Sequence, residues 1–289
     1  MGSNNIFFDE NFTRYKLIKS NPGKIACNWL FLPGGPGIDS NYLLPLVKEI
    51  EVDGNCWVID FLLNGSNLQD NTGLDPDKIY RKWGDYFLAA MNKFDNPILV
   101  GHSFAGYFPL FFPELEKILK GFVILSTAPI PPTLPTLNID KFEKYAKENN
   151  LPFAANAVNA FLSVPTLNTA REQYLALVPY AFPEDTRAQG IKLIESLFIN
   201  VDTAYWWITK GSKAYSTINW IPEKIPVLIL GGTHDFITPL SLFEEDRRFH
   251  RNNIEIVNIP NAGHFPWIEQ PIFIKDAFAH FSTNKIYKS

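Results

Sequence analysis

Ile98-Leu99-Val100-Gly101-His102-Ser103-Phe104-Ala105-Gly106 reads as an apolar strand that runs through a sharp turn into a helix. Of the seventeen glycines in the chain, Gly101 alone has a serine two residues on and a small residue two further. A serine hydroxyl becomes a useful nucleophile when the backbone lifts it clear of a sheet and leaves room for a base and a substrate. Such a turn has space only for small neighbours, which Gly101, Ala105 and Gly106 supply. By itself Gly-x-Ser-x-Ala also describes an ordinary strand-to-helix turn that contains a serine.

The segment resembles the nucleophile turn of the α/β-hydrolase superfamily, which usually carries glycine where this chain has Ala105. The resemblance implies an α/β fold: a mostly parallel central sheet, helices on both faces, and an inserted helical cap. A serine nucleophile also needs an imidazole to take its proton and a carboxylate to orient that imidazole. The chain has five histidines. His102 stands on the turn itself and is expected to point away from Ser103. His250 lies in the charged stretch 244–251, His280 in an amphipathic terminal helix over 273–281, and His234 beside an acid candidate. His264 remains, in Pro260-Asn261-Ala262-Gly263-His264-Phe265-Pro266, directly after the strand-like run Ile254–Ile259. The superfamily carries its base in that place.

The run Val227-Leu228-Ile229-Leu230 has the continuous apolar character of a strand covered on both faces. Asp235 follows it, on a loop at the carboxyl edge, where ligand and catalytic groups collect in open parallel sheets. An Asp there can also cap a following helix, but Thr238 is the better cap for a helix opened by Pro239. Ser103, Asp235 and His264 stand in the chain order described for this fold.

After the apolar strand Trp29-Leu30-Phe31-Leu32 comes Pro33-Gly34-Gly35-Pro36-Gly37. It resembles the His-Gly-Gly-Pro-Gly loop of the prolyl iminopeptidase branch, with Pro33 in place of the histidine. That match implies an oxyanion hole from the amides of Gly35 and Phe104. Residues 60–67 resemble the superfamily's Asp-x-x-Gly-x-Gly-x-Ser loop, thinned to one glycine, and read as a structural turn.

Strands are expected at 12–19, 25–32, 56–60 and 121–126, with helices at 41–50 and 76–94. Pro109 and Pro113 predict a kinked or shortened helix after Ser103. The strand–helix alternation then breaks from residue 127 to about 220, giving a hydrolase core over 1–126 and 221–289 and a cap over 127–220. Helical pieces in the cap are expected at 139–150, 153–162, 169–178, 186–199 and 202–210. The cap is rich in aromatic side chains, and Trp206-Trp207 is the candidate wall of an apolar substrate pocket.

A net charge of −4, from 26 basic and 30 acidic residues, gives no electrostatic reason to expect nucleic acid. No run of about eighteen apolar residues predicts a membrane span. Residues 1–10 lack the apolar stretch of a signal peptide, and Ile6 stands where a myristoylation signal wants serine or threonine. Cys27 and Cys56 fit no zinc or redox spacing and read as buried core residues of a reducing compartment, so a cytoplasmic location is expected.

The expected chemistry is acyl transfer on a small-molecule substrate by Ser103, His264 and Asp235, with no metal or organic cofactor required. An ester is favoured. A prolyl aminopeptidase is the alternative, although the chain has Gly-His-Ser-Phe-Ala where that branch has Gly-Gly-Ser-Trp-Gly, and lacks its Asp-Gln-Arg-Gly sequence. A ligand-binding protein of the same fold that does not turn over is an alternative of another class.

Overall fold

Among the described residues, eight strands hydrogen-bond into one sheet: β1 (Ile6–Phe8), β2 (Arg14–Asn21), β3 (Asn28–Leu32), β4 (Gly54–Asp60), β5 (Pro97–His102), β6 (Gly121–Leu125), β7 (Val227–Gly232) and β8 (Ile254–Ile259). Their spatial order is β1-β2-β4-β3-β5-β6-β7-β8. The computed structural model describes residues 5–21, 23, 26–68, 75–129, 144, 146–148 and 154–287. The strands from β4 to β8 run parallel, whereas β1 and β2 are antiparallel at one edge.

The apolar runs follow from two covered faces. Along β3, β5 and β6, Trp29, Phe31, Ile98, Val100, Val123 and Leu125 face one core, shared with Phe278 and Phe281 of the helix Pro271–Phe281. The alternate residues Leu30, Leu32, Leu99, Phe122 and Ile124 face a second core, shared with Phe87 of the helix Trp83–Asn92 and with Phe108. Every residue of β5, β6 and β7 is buried, so no polar alternation survives to mark them as strands.

The topology also fixes where a site can form. The chain steps from β3 outward to β4 and then returns to the other side of β3 as β5. Crevices in open α/β sheets lie at such reversals, outside the carboxyl ends of the strands. Leu32 pairs with Gly101 there, bringing the loop at 33–37 beside His102 and Ser103.

Several elements differ from expectation in detail. The first expected strand is β2, and an unexpected strand lies outside it: Ile6, Phe7 and Phe8 form β1, with Phe7 stacked on Tyr15 at 4.6 Å. The helix expected over 76–94 is two, Pro76–Arg81 and Trp83–Asn92, separated at Lys82. The segment after Ser103 is short, as its prolines imply: one α-turn, Phe104–Tyr107, followed by a 3₁₀ turn, Phe108–Phe111.

Between β6 and β7 the chain forms the inserted helical region. Among its described residues, the longer helices are Ala155–Ser163, Leu167–Ala181, Arg187–Ser196 and Val201–Trp206, the last continuing as a π-helical turn, Trp207–Gly211. Thr166 opens Leu167–Ala181 with a capping box completed by Thr169. The helix expected over 139–150 lies largely outside the described residues. The insert is fastened to the core near the 33–37 loop. Ile199 forms an antiparallel bridge with Ile38, the Asn200 amide donates to the Gly37 carbonyl at 2.7 Å, and the Trp206 indole donates to Asp77 at 2.7 Å.

Among the described residues no helix is long and apolar enough to cross a membrane. Cys27 and Cys56 are both buried and unbridged.

Candidate active site

Ser103 follows β5 directly, with φ 53° and ψ −119°. A non-glycine residue in that region carries roughly 1–3 kcal/mol of strain and persists only where its surroundings fix it. Here the fixing is local. The Ser103 amide donates to the Leu125 carbonyl at 2.9 Å, and its own carbonyl accepts from Gly106 N at 2.9 Å and from the Thr127 hydroxyl at 2.8 Å. A Cβ on Gly101 would stand 2.0 Å from the Ala105 carbonyl oxygen, which explains the glycine ahead of the turn. Ala105 itself is buried in the second core, so the departure from the usual glycine costs the turn no room.

His264 and Asp235 are brought into contact from loops after β8 and β7. His264 Nδ1 lies 2.9 Å from Asp235 Oδ2, and both side chains are buried. Asp235 is fixed in turn: its Oδ1 accepts from the amides of Ile237 and Thr238, each at 2.9 Å, and its Oδ2 accepts from the Thr238 hydroxyl at 3.0 Å. The expected role of Thr238 is therefore corrected. The following helix is Ser241–Glu244, entered from Leu240, and the Thr238 hydroxyl serves the aspartate because the loop turns it inward. The main chain of His264 is held on both sides. Its amide donates to Ala181 of the insert at 2.7 Å, and its carbonyl lies 2.9 Å from His102 Nε2.

Ser103 is adjacent in sequence to His102, whose ring centroid lies 4.8 Å from that of His264; among the described residues no hydrogen bond joins the Ser103 hydroxyl to His264. Burial holds the His102 imidazole well below the usual histidine range, and the nearby His264 adds to the effect. On the other side, a Cβ on Gly34 would meet the Ser103 Cβ at 2.9 Å, so only glycine lets the 33–37 loop lie against the serine. Gly35 has φ +111°. The loop's other glycine amides are engaged: Gly34 donates to the Tyr42 hydroxyl at 2.6 Å and Gly37 to Asn64 Oδ1 at 2.8 Å. Among the described residues, no acceptor pairs with the N–H of Gly35 or of Phe104.

The two candidate pocket tryptophans take different positions. Trp206 packs on Tyr80, with centroids 4.9 Å apart, and its indole N–H is held by Asp77. Trp207 meets the Phe104 ring edge-on at 4.6 Å, one residue from Ser103. Gly211 allows both, since a Cβ there would come within 2.5 Å of each indole.

Sequence reasoning passed over Tyr42, Asn64 and Asn200, which hold the 33–37 loop. Asn64 lies in the 60–67 segment read as a structural turn, and it accepts from Gly37 while donating to the Ile38 carbonyl at 3.0 Å. Asp60, which opens that segment, binds Arg14 at 2.8 Å and Ser40 at 2.7 Å and so anchors its base. Glu269, five residues past His264, accepts from the Gly263 amide at 2.8 Å, and burial pushes its carboxyl up to about 8.

With this fold and these loops in place, the chain belongs to the alpha/beta hydrolase family, whose model matches residues 29–277. No curated protein matches it by sequence. Its structure resembles that of a thermophilic esterase at 17% identity and TM-score 0.62, over 96% of each chain. It also resembles the proline iminopeptidase of Mycobacterium smegmatis at 16% identity and TM-score 0.60, over 98% of each chain. An alpha/beta fold family hydrolase from Bacillus anthracis str. Sterne matches at 15% identity and TM-score 0.67, over 96% of this chain and 98% of that one. At these identities the likeness is one of fold.

Proposed function

We propose that the protein is a serine hydrolase acting on a small carboxylic ester. Ser103 attacks the substrate carbonyl while His264 takes the hydroxyl proton, and Asp235 orients the imidazole and stabilises its charged form. The oxyanion forms against the amides of Gly35 and Phe104. His264 then returns the proton to the leaving alkoxide as its bond to the acyl carbon breaks. A water, deprotonated by His264, attacks the acyl-serine and releases the acid and the serine hydroxyl. The observation that carries this reading is the 2.9 Å contact of His264 with Asp235 beside a strained Ser103 turn. The two unpartnered amides add to it, that of the buried Phe104 above all, because buried N–H groups are nearly always paired; Gly35 is partly exposed. Removing one such donor from an oxyanion hole costs about 100- to 1000-fold in rate.

Residues 127–220 would form the cap and 1–126 with 221–289 the core, and Trp207 would wall the pocket beside Phe104. An ester is favoured over an aminopeptidase substrate. A free α-amine wants a desolvated carboxylate, yet Glu148, Glu172, Glu184, Asp185, Glu195 and Asp202 of the insert are all exposed.

Hydrolysis of a short-chain aryl ester and of a prolyl arylamide, by wild type and by Ser103→Ala, tests the reading. Ester turnover abolished by the substitution is the expected result. Undiminished turnover in Ser103→Ala overturns it, and turnover of the arylamide alone reassigns the substrate to the peptide class.

A further inference from the structure

Three buried hydrogen bonds join the 33–37 loop to the loop carrying His264. Gly34 N lies 2.6 Å from Tyr42 Oη, Tyr42 Oη 2.7 Å from His102 Nδ1, and His102 Nε2 2.9 Å from the His264 carbonyl oxygen. A carbonyl only accepts, so His102 Nε2 carries a proton and donates to His264. Burial keeps the ring neutral, which leaves Nδ1 as an acceptor. The Tyr42 hydroxyl then accepts from the Gly34 amide and donates to Nδ1.

We propose that Tyr42 and His102 are positioning residues that hold the oxyanion loop and the main chain of the base in fixed register across the Ser103 turn. The proposal rests on the serine-hydrolase reading for its catalytic consequence but not for the hydrogen-bond chain itself. Packing supports it. The His102 ring is 2% exposed and boxed by Tyr42, His264, Phe265 and Trp267 at centroid distances of 5.5, 4.8, 5.2 and 4.9 Å, so it has no room to turn over. The depressed basicity of the buried imidazole agrees with a neutral ring, because burial disfavours the charged form. Gly34 abuts Ser103 and His102 immediately precedes it, so the chain passes directly behind the attacking oxygen's own residue.

A residue that only filled the core would affect stability without selecting between binding and chemistry. Tyr42→Phe separates the two, since it keeps the ring and deletes the hydroxyl that bridges Gly34 and His102. The full chain is used throughout, with nitrogen-15 spectra of the histidines, phosphonylation of Ser103 by a fluorophosphonate, and aryl-ester kinetics. In wild type, His102 is expected as the neutral Nε2–H tautomer at neutral pH. In Tyr42→Phe, the Nε2–H tautomer persists because the His264 carbonyl still requires it, while the His264 ring resonances shift. Phosphonylation and kcat fall about 10- to 100-fold while KM stays within about threefold, the scale of a misplaced reacting group.

Should Tyr42→Phe not fold, His102→Gln and His102→Leu replace it. The glutamine amide can still donate to the His264 carbonyl and should retain several-fold more kcat than leucine. An Nδ1–H tautomer in wild type overturns the proposal. So do unchanged His264 resonances and kcat in Tyr42→Phe, or equal losses in the two His102 variants. Turnover surviving Ser103→Ala would sink the serine-hydrolase reading alone, leaving the tautomer and the His264 resonances to decide the chain.

Discussion

His264 and Asp235 meet at 2.9 Å through Nδ1 and Oδ2, and every other acceptor direction on that carboxylate is occupied by the loop that carries it. The aspartate is thus oriented before any substrate arrives. Asp235→Asn places an amide where the imidazole needs an acceptor, and the ring would adopt the wrong tautomer. An amide at this position is expected to lower kcat by roughly 10⁴-fold while leaving the fold intact. Steady-state kinetics with circular dichroism of the same sample check this, and a loss below about tenfold would remove Asp235 from the mechanism.

Thr238 supplies one of the two side-chain donors on the Oδ2 that His264 shares. Thr238→Val keeps the shape and deletes the hydroxyl. The lost bond is worth about 1 kcal/mol in stability. The expected kinetic effect is a fall in kcat of about tenfold, well short of that for Asp235→Asn, because the two amide donors still hold the carboxylate. Chemical denaturation and kinetics on one preparation separate the two effects.

Gly101→Ala tests why the turn demands glycine. The added methyl would lie 2.0 Å from the Ala105 carbonyl oxygen, and neither that oxygen nor β5 can retreat without moving Ser103. Overpacking of this kind costs about 1–3 kcal/mol or more. The variant is expected to melt at lower temperature and to react slowly with a fluorophosphonate even where it stays folded. Unaltered melting would show that the turn has slack its geometry does not reveal.

Glu269 makes stability depend on pH in an unusual direction. Its folded-state carboxyl is raised by burial from an ordinary 4.5 to about 8. The folded protein therefore keeps a proton that the unfolded chain releases, and its stability falls as pH rises through that window. One such proton gives a slope of at most about 1.4 kcal/mol per pH unit. Glu269→Gln cannot titrate but keeps an acceptor for the Gly263 amide, so its stability should vary less with pH between about 5 and 8. Denaturant midpoints across that range decide it, and parallel curves for the two proteins would assign the slope to other groups.

The turn at Ser103 and the places of the Asp235 and His264 loops after β7 and β8 are legible because each is written locally. Gly101, Ser103 and Ala105 are constrained by one another, and the strands that precede Ser103 and Asp235 are apolar without interruption because both their faces are covered. The support around the site was not legible. Tyr42 and His102 are 60 residues apart, and Asn64 reaches across 27 to Gly37, so no local pattern announces either contact. Thr238 misled for a related reason: its sequence suits a helix cap, and only the inward course of the loop gives its hydroxyl to Asp235. The break in the 76–94 helix and the extra edge strand β1 are likewise tertiary outcomes. Phe7 finds Tyr15 only once β2 is in place.

The bridge between Ile38 and Ile199, with the Asn200 amide on Gly37, ties the insert to the same short loop that lies against Ser103. Lifting residues 199 and 200 away to admit a bulky molecule would break both links and free that loop from one of its few tethers. If the protein works as the proposed hydrolase, admitting a large substrate past residues 199 and 200 and keeping the 33–37 loop tethered beside Ser103 would therefore oppose one another.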